Sequence, residues 1–222
     1  MMEQKDIDVA RSDTSSPASG QAPRRSIRPL VAVLLISLAP VVAAVLVYFN
    51  PDWRPEGSSN YGTLVDPQRH IPDARELPLT TLDGQPFDLA SLQGQWVLVA
   101  ADGAACPESC ARKLFILRNI HASQGKNVER VTRVWFITDD AAVPDKVIEA
   151  YQGTIMLRAD PRLLARFLAP AETGPAALAP GLTGPMWVID PLGNLMMQFP
   201  PDADPLKVRK DIGKLIYNSR IG

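Results

Sequence analysis

From Leu30 to Phe49 the chain runs for twenty residues without one charged side chain, and this run restricts the fold more than any other feature. A helix of that length, at about 1.5 Å per residue, spans roughly 30 Å, the thickness of a bilayer's hydrocarbon core. In lipid every backbone N–H and C=O must be paired inside its own segment, so the run is expected to be a single transmembrane helix that tolerates Pro40 in its middle. The competing reading is a cleaved signal peptide, with Val41-Val42-Ala43 as a small-residue cleavage site. Against it, the apolar stretch is longer than a signal core of 7 to 15 residues and continues past that site through Val45 to Phe49. Arg24, Arg25 and Arg28 stand before the run and Asn50-Pro51-Asp52 after it. The positive-inside rule then places the N-terminus in the cytoplasm and everything after the helix in the periplasm.

The 222 residues divide accordingly. Residues 1–29 are polar, without apolar periodicity, and are expected to be a disordered cytoplasmic tail. Residues 30–49 form the membrane helix. Residues 50–75, rich in Pro, Gly, Ser and Asn, read as a periplasmic tether, and residues 76–219 leave room for one core. Glu3, Asp6, Asp8 and Asp13 argue against a mitochondrial transit peptide, so a bacterial inner membrane is the expected location. Of the 23 basic and 24 acidic residues, five and four precede Leu30, which leaves 18 and 20 beyond it and no basic stripe. A net charge of about −2 without basic-aromatic interleaving excludes nucleic acid as the expected partner.

Only two cysteines occur, in Ala105-Cys106-Pro107-Glu108-Ser109-Cys110, directly after the apolar run Trp96-Val97-Leu98-Val99-Ala100. If that run is a strand and Cys106 opens a helix, residues at i and i+4 share one helix face. A helix N-terminus also favours thiolate over thiol, although Glu108 between the two opposes it. The pair is expected to work as a redox dithiol or to grip one soft metal ion. A plain structural disulfide is the alternative, but closing so short a loop removes little chain entropy.

The rest of the domain alternates. Leu77 to Leu82 and Pro86 to Leu89 flank Asp83-Gly84, a hairpin signal. Trp96 to Ala101 is a continuous apolar run, as in a central strand covered on both faces, and Val131 to Thr138, with Val134-Trp135-Phe136-Ile137 at its centre, is expected to be a second buried strand. Helices are expected from about Pro107 to Ser123, near Pro144 to Tyr151, from Asp160, a plausible N-cap, through Phe167, and from Pro205 to Tyr217. A short strand at Thr154 to Leu157 and a hairpin of Met186–Asp190 with Leu195–Phe199 complete the set. The fold class is α/β, a thioredoxin-like fold with an N-terminal β-hairpin extension, preceded by one transmembrane helix.

At these residues the sequence resembles the Sco/SenC family, membrane-anchored thioredoxin-fold proteins that assist copper delivery to cytochrome c oxidase. The matching text is Asp88-Leu89, Leu92 to Val99, Cys106-Pro107-Glu108-Ser109-Cys110 and Val188-Ile189-Asp190-Pro191-Leu192-Gly193. Asn60-Tyr61-Gly62, Asp66-Pro67-Gln68 and Gly193 to Met197 are similar to small membrane-anchored proteins that accompany oxidase assembly genes in some bacteria. The resemblance implies copper as the metal, Cys106 and Cys110 as its ligands or as the redox dithiol, and an oxidase subunit or another assembly factor as the partner. It departs from the family where a copper-binding histidine is expected, because Ala171 to Pro185 contains none. Asp102-Gly103-Ala104-Ala105 replaces the family's aromatic-Thr lead, and Ala111 its proline.

The two histidines do not fill the gap. His121 lies eleven residues beyond Cys110, about 16 Å along one helix, and His70 lies in the expected tether. Met186, just before a strand that passes the cysteine loop in this fold, is the better third ligand, since a thioether suits Cu(I). Pro185 occupies the place of the cis proline of many thioredoxin-like oxidoreductases. Two readings outside copper handling stay open: a general periplasmic thiol–disulfide oxidoreductase, and a non-catalytic adaptor that docks subunits of a membrane complex.

Overall fold

The computed structural model describes residues 26–50, 53, 60–169 and 178–221. The chain forms two compact units, Met1–Gly57 and Ser58–Gly222. The first contains helix α1, Arg28–Phe49, in which no residue is buried and Pro40 sits mid-helix. It is long and apolar enough to cross a membrane, with a mean hydropathy of 3.0. Most of the polar tail expected at 1–29, and residues 51, 52 and 54–59 of the expected tether, lie outside the described residues.

The second unit is one eight-stranded sheet. Its strands are β1 (Thr63–His70), β2 (Leu79–Thr81), β3 (Pro86–Phe87), β4 (Trp96–Asp102), β5 (Val131–Ile137), β6 (Ile155–Ala159), β7 (Met186–Ile189) and β8 (Asn194–Phe199). They lie in the order β1-β8-β7-β4-β5-β6-β2-β3. β4, β5 and β6 are parallel, and the remaining neighbours are antiparallel. All seven residues of β4 are buried, because successive side chains point to opposite faces and both faces are covered. Trp96, Leu98 and Ala100 join Trp135 and Ile137 in a core beneath α2 (Glu108–Ala122) and α6 (Pro205–Asn218). Val97, Val99 and Ala101 join Val134, Phe136 and Trp187 on the other face, under α4 (Pro161–Leu168) and α5 (Leu178–Thr183). Among the described residues the remaining α-helix is α3, Asp145–Ala150.

The hairpin β2–β3 forms as expected across Asp83-Gly84, and Asp160 caps α4 by accepting from the Arg162 and Leu163 amides. Two segments differ from the sequence reading. Residues 63–70 of the expected tether are strand β1, paired antiparallel with β8 from Thr63↔Gln198 to His70↔Asn194. The register slips between Leu64 and Arg69, where Pro67 lacks a ladder donor, so alternation is lost and the strand is invisible to pattern. Residues 178–183, within the Ala171 to Pro185 stretch for which no element was expected, form the short helix α5. Among the described residues the only cis peptide bond is Asp66–Pro67, so Pro185 is an ordinary trans proline and not the cis proline of the oxidoreductases whose place it occupies.

β1 is locked at its start. Asp211, buried on α6, accepts from the amides of Tyr61 at 2.6 Å and Gly62 at 2.9 Å. The Tyr61 ring stacks on Phe199 with centroids 6.3 Å apart, and its hydroxyl accepts from the Asp204 amide. At Gly62 a Cβ would stand 2.7 Å from Phe199 Cε1, so only glycine allows this close approach.

Candidate functional site

β4 ends at Asp102 and releases the chain at the carboxyl end of the parallel strands, where open α/β sheets place their reactive groups. The loop that follows is held from both sides. Asp102 Oδ1 accepts from the Gly103 amide at 2.9 Å, and both carboxylate oxygens of Asp139, just past β5, lie 3.2 Å from the Ala104 amide. A Cβ on Gly103 would fall 2.6 Å from Asp139 Oδ2, so this residue must stay small for Asp139 to reach the loop.

Cys106 does not open the helix. It stands two residues before α2 with φ +42°, a left-handed conformation that costs an ordinary side chain about 1–2 kcal/mol. The reason is local: the residue before a proline is pushed out of the right-handed helical region, so α2 starts only after its cap, Pro107. Cys110 sits in the first turn, and the two cysteines form a disulfide with Cα atoms 5.0 Å apart. The expected pair of thiols on one helix face is thus a loop residue and a helix residue bonded together. Both are covered, with 8% exposure at Cys106 and 1% at Cys110.

Lys113 was not anticipated as part of this site. One turn beyond Cys110, its ammonium lies 3.0 Å from Asp102 Oδ2 and donates to Ala101 O at 2.8 Å and to Thr183 O. Both partners of the ion pair are buried. Burial pushes the Lys113 pKa down, more than the charge of Asp102 raises it. One side chain thereby fastens the end of β4, the helix carrying Cys110 and the last residue of α5, shortly before β7. Its sequence signal was the spacing of three from Cys110, which places a cation beside that cysteine in a helix otherwise facing the core with Leu114 and Leu117.

Met186, the third ligand expected from the sequence, is a core residue within β7 and not one ahead of it. It begins β7 opposite Ala100 and Phe199, is 2% exposed, and belongs to the same buried cluster as Cys106 and Cys110. It also lines a cavity of about 340 Å³ with Ser109, Arg112, Lys113 and Pro200, so a thioether and one of the three residues between the cysteines border one opening.

The histidines lie elsewhere. His70 pairs with Asn194 at the start of β8, its Nδ1 3.2 Å from Asn194 Oδ1, whereas Met186 faces Phe199 at the strand's far end. At about 3.3 Å per residue that separation is roughly 17 Å. His121 is half-buried in the last turn of α2. Among the described residues no three His, Cys, Asp or Glu side chains are grouped to hold a metal ion.

His121 gives a pH prediction. Burial first, then the charge of Arg133, lowers its pKa below the ordinary value. The unfolded chain therefore takes up this proton before the folded one, and stability falls as pH drops below about 6.5 through the folded pKa. His121→Gln should remove that part of the acid loss, measured as unfolding free energy against pH. An unchanged slope would show that the imidazole titrates alike in both states.

The family model described as "Transmembrane-like, thioredoxin-like, C-terminal domain" matches residues 96–219. No curated protein matches the sequence significantly. Among solved structures, BsSco, a member of the Sco family of cytochrome c oxidase assembly proteins in which a disulfide switch was identified, aligns with a TM-score of 0.52. The identity is 15%, over 71% of this chain and 99% of that one. Copper-bound ScoI of Arabidopsis thaliana aligns at 16% identity over 68% of this chain and 99% of that one, with a TM-score of 0.49. A secreted Mycobacterium tuberculosis disulfide oxidoreductase homologous to E. coli DsbE aligns at 23% identity over 62% and 95%, with a TM-score of 0.45. At these identities the likeness is one of fold. This chain belongs to the family of transmembrane-like proteins with a thioredoxin-like C-terminal domain, and its fold is that of the Sco proteins.

Proposed function

We propose that this chain is a membrane-anchored, periplasmic accessory factor of cytochrome c oxidase assembly. Its Cys106–Cys110 pair exchanges disulfides with, or passes Cu(I) to, the copper-site cysteines of an oxidase subunit or another assembly factor. The observation that carries this reading is the pairing of the two sulfurs at the carboxyl end of β4, in one buried cluster with the Met186 thioether. Reduced, the pair attacks a partner's disulfide through one thiolate, forms a mixed disulfide, and is released as the second sulfur closes the Cys106–Cys110 bond. Two electrons pass to the partner, which leaves as a dithiol, and a thiol reductant must recharge this chain. Cu(I) is the alternative cargo: two thiolates and a thioether are soft donors, and the missing histidine makes for ready release.

A second reading is favoured by the burial of both sulfurs, which suits an adaptor whose disulfide only shapes the docking loop. Titration separates the two. The reduced full chain in detergent micelles should take up one equivalent of Cu(I) in competition with a chromogenic chelator, and both Cys106→Ser and Cys110→Ser should abolish uptake. The reduction potential should fall in the exchange-active range. No uptake together with a potential below about −300 mV, where structural disulfides lie, would leave only the adaptor.

A further inference from the structure

On the sheet face away from α2, and at the sheet end away from the disulfide, a cavity of about 550 Å³ opens between the end of β1, the turn after it and α4. Small-molecule sites range over roughly 300–1,000 Å³. Arg69, Arg75 and Arg166 line it, and Glu76 is the one acid there. None of the three arginines forms an ion pair with a described residue. Arg69 is committed to the fold: its Nε donates to Phe167 O at 2.7 Å and its Nη2 to Leu168 O at 3.0 Å, covering the open carbonyls that give a helix its negative end. Burial holds the Arg69 pKa below its ordinary value. Arg75 and Arg166 are exposed and their side chains carry no hydrogen bond to a described residue, so both forks are open.

Three positive charges against one negative leave a surplus of about two. A guanidinium fork matches phosphate oxygens bidentately, and a phosphate monoester carries about −1.5 to −2 near neutral pH, where a single carboxylate carries only −1. Leu163 and Phe167 supply an apolar wall on the α4 side. We propose that this cavity binds an organic phosphate of about two negative charges, with its phosphate on Arg75 and Arg166 and its carbon skeleton against Leu163 and Phe167. The site is remote from Cys106 and Cys110 and independent of what that pair does.

Such a phosphate comes either from a lipid headgroup or from a soluble metabolite. The full chain in phosphatidylcholine nanodiscs is titrated calorimetrically with glycerol 3-phosphate. In a second arm, amide exchange at residues 69–76 and 163–167 is compared between nanodiscs with and without phosphatidate. Saturable binding in the first arm assigns a soluble ligand, and protection in the second a headgroup; either supports the site. Arg75→Ala and Arg166→Ala should each weaken binding by about tenfold or more, with the lysine variants in between. Both arginines are exposed, so these variants should melt like the parent. Absence of saturable binding and of protection in both arms, or a double alanine variant that binds like the parent, would overturn the proposal.

Discussion

Replacing Lys113 by methionine is expected to cost the domain about 3–5 kcal/mol, because the substitution keeps the length of the side chain but leaves the Asp102 carboxylate buried without its counter-charge. Ala101 O and Thr183 O lose their donor in the same step. The double variant Asp102→Asn, Lys113→Met removes the charge as well and should recover most of the loss, since the side-chain amide oxygen of the asparagine can still accept from the Gly103 N–H. The lowered pKa of Lys113 points the same way: the penalty of drying the ammonium exceeds what Asp102 returns. The pair is then retained for geometry, holding β4, α2 and the end of α5 in one arrangement around the disulfide, and not for net stability. Chemical denaturation of the single and double variants measures this. A single variant that loses less than about 1 kcal/mol, or a double that loses as much as the single, contradicts it.

Asp211→Ala should have the next largest effect, about 2–4 kcal/mol, by stranding the Tyr61 and Gly62 amides at roughly 1–2 kcal/mol each, the lower part of the usual range because Tyr61 is half-buried. At about 2–4 °C per kcal/mol for a domain of this size, the melting temperature should drop by roughly 4–16 °C. The loss should be local first. Amide exchange in β1 and its partner β8 should rise well before that in β4 and β5, because Asp211 fixes only the start of the edge strand. Asp211→Asn keeps an acceptor and should restore most of the protection. If β1 and β4 lose protection together, the edge strand is not a separable unit.

What could be read in the sequence was whatever depends on near neighbours. The uncharged run Leu30 to Phe49 within α1, the apolar stretches Trp96 to Ala101 and Val134 to Ile137 within β4 and β5, the Asp83-Gly84 turn and the Asp160 cap all carry their reason within a few residues. The disulfide partners were legible because only two cysteines exist, and Met186 because a strand order places it. β1 was not legible: its residues are mostly exposed, Pro67 interrupts their alternation, and the partner that orders them lies well over a hundred residues away. The positions of Lys113 and Asp211 as buried charges were equally hidden, since each is explained only by a group delivered by another element. The left-handed Cys106 is an intermediate case. The following proline disfavours a helical conformation there, so the helix expected from about Pro107 obeys the local rule, whereas the reading in which Cys106 opens it does not.

The two outer strands of the sheet have a further consequence. A long open strand edge offers its unpaired amides to any copy that drifts alongside, and anchoring in a membrane would raise the frequency of such encounters by confining them to two dimensions. Here one margin carries Pro67 inside a register slip and the other is a two-residue strand that begins with Pro86. Proline removes a ladder donor and the slip breaks the straight line of the next, so neither margin can template a neighbour's strand over any length. The sheet closes itself to polymerisation, and a population crowded on one surface can stay monomeric.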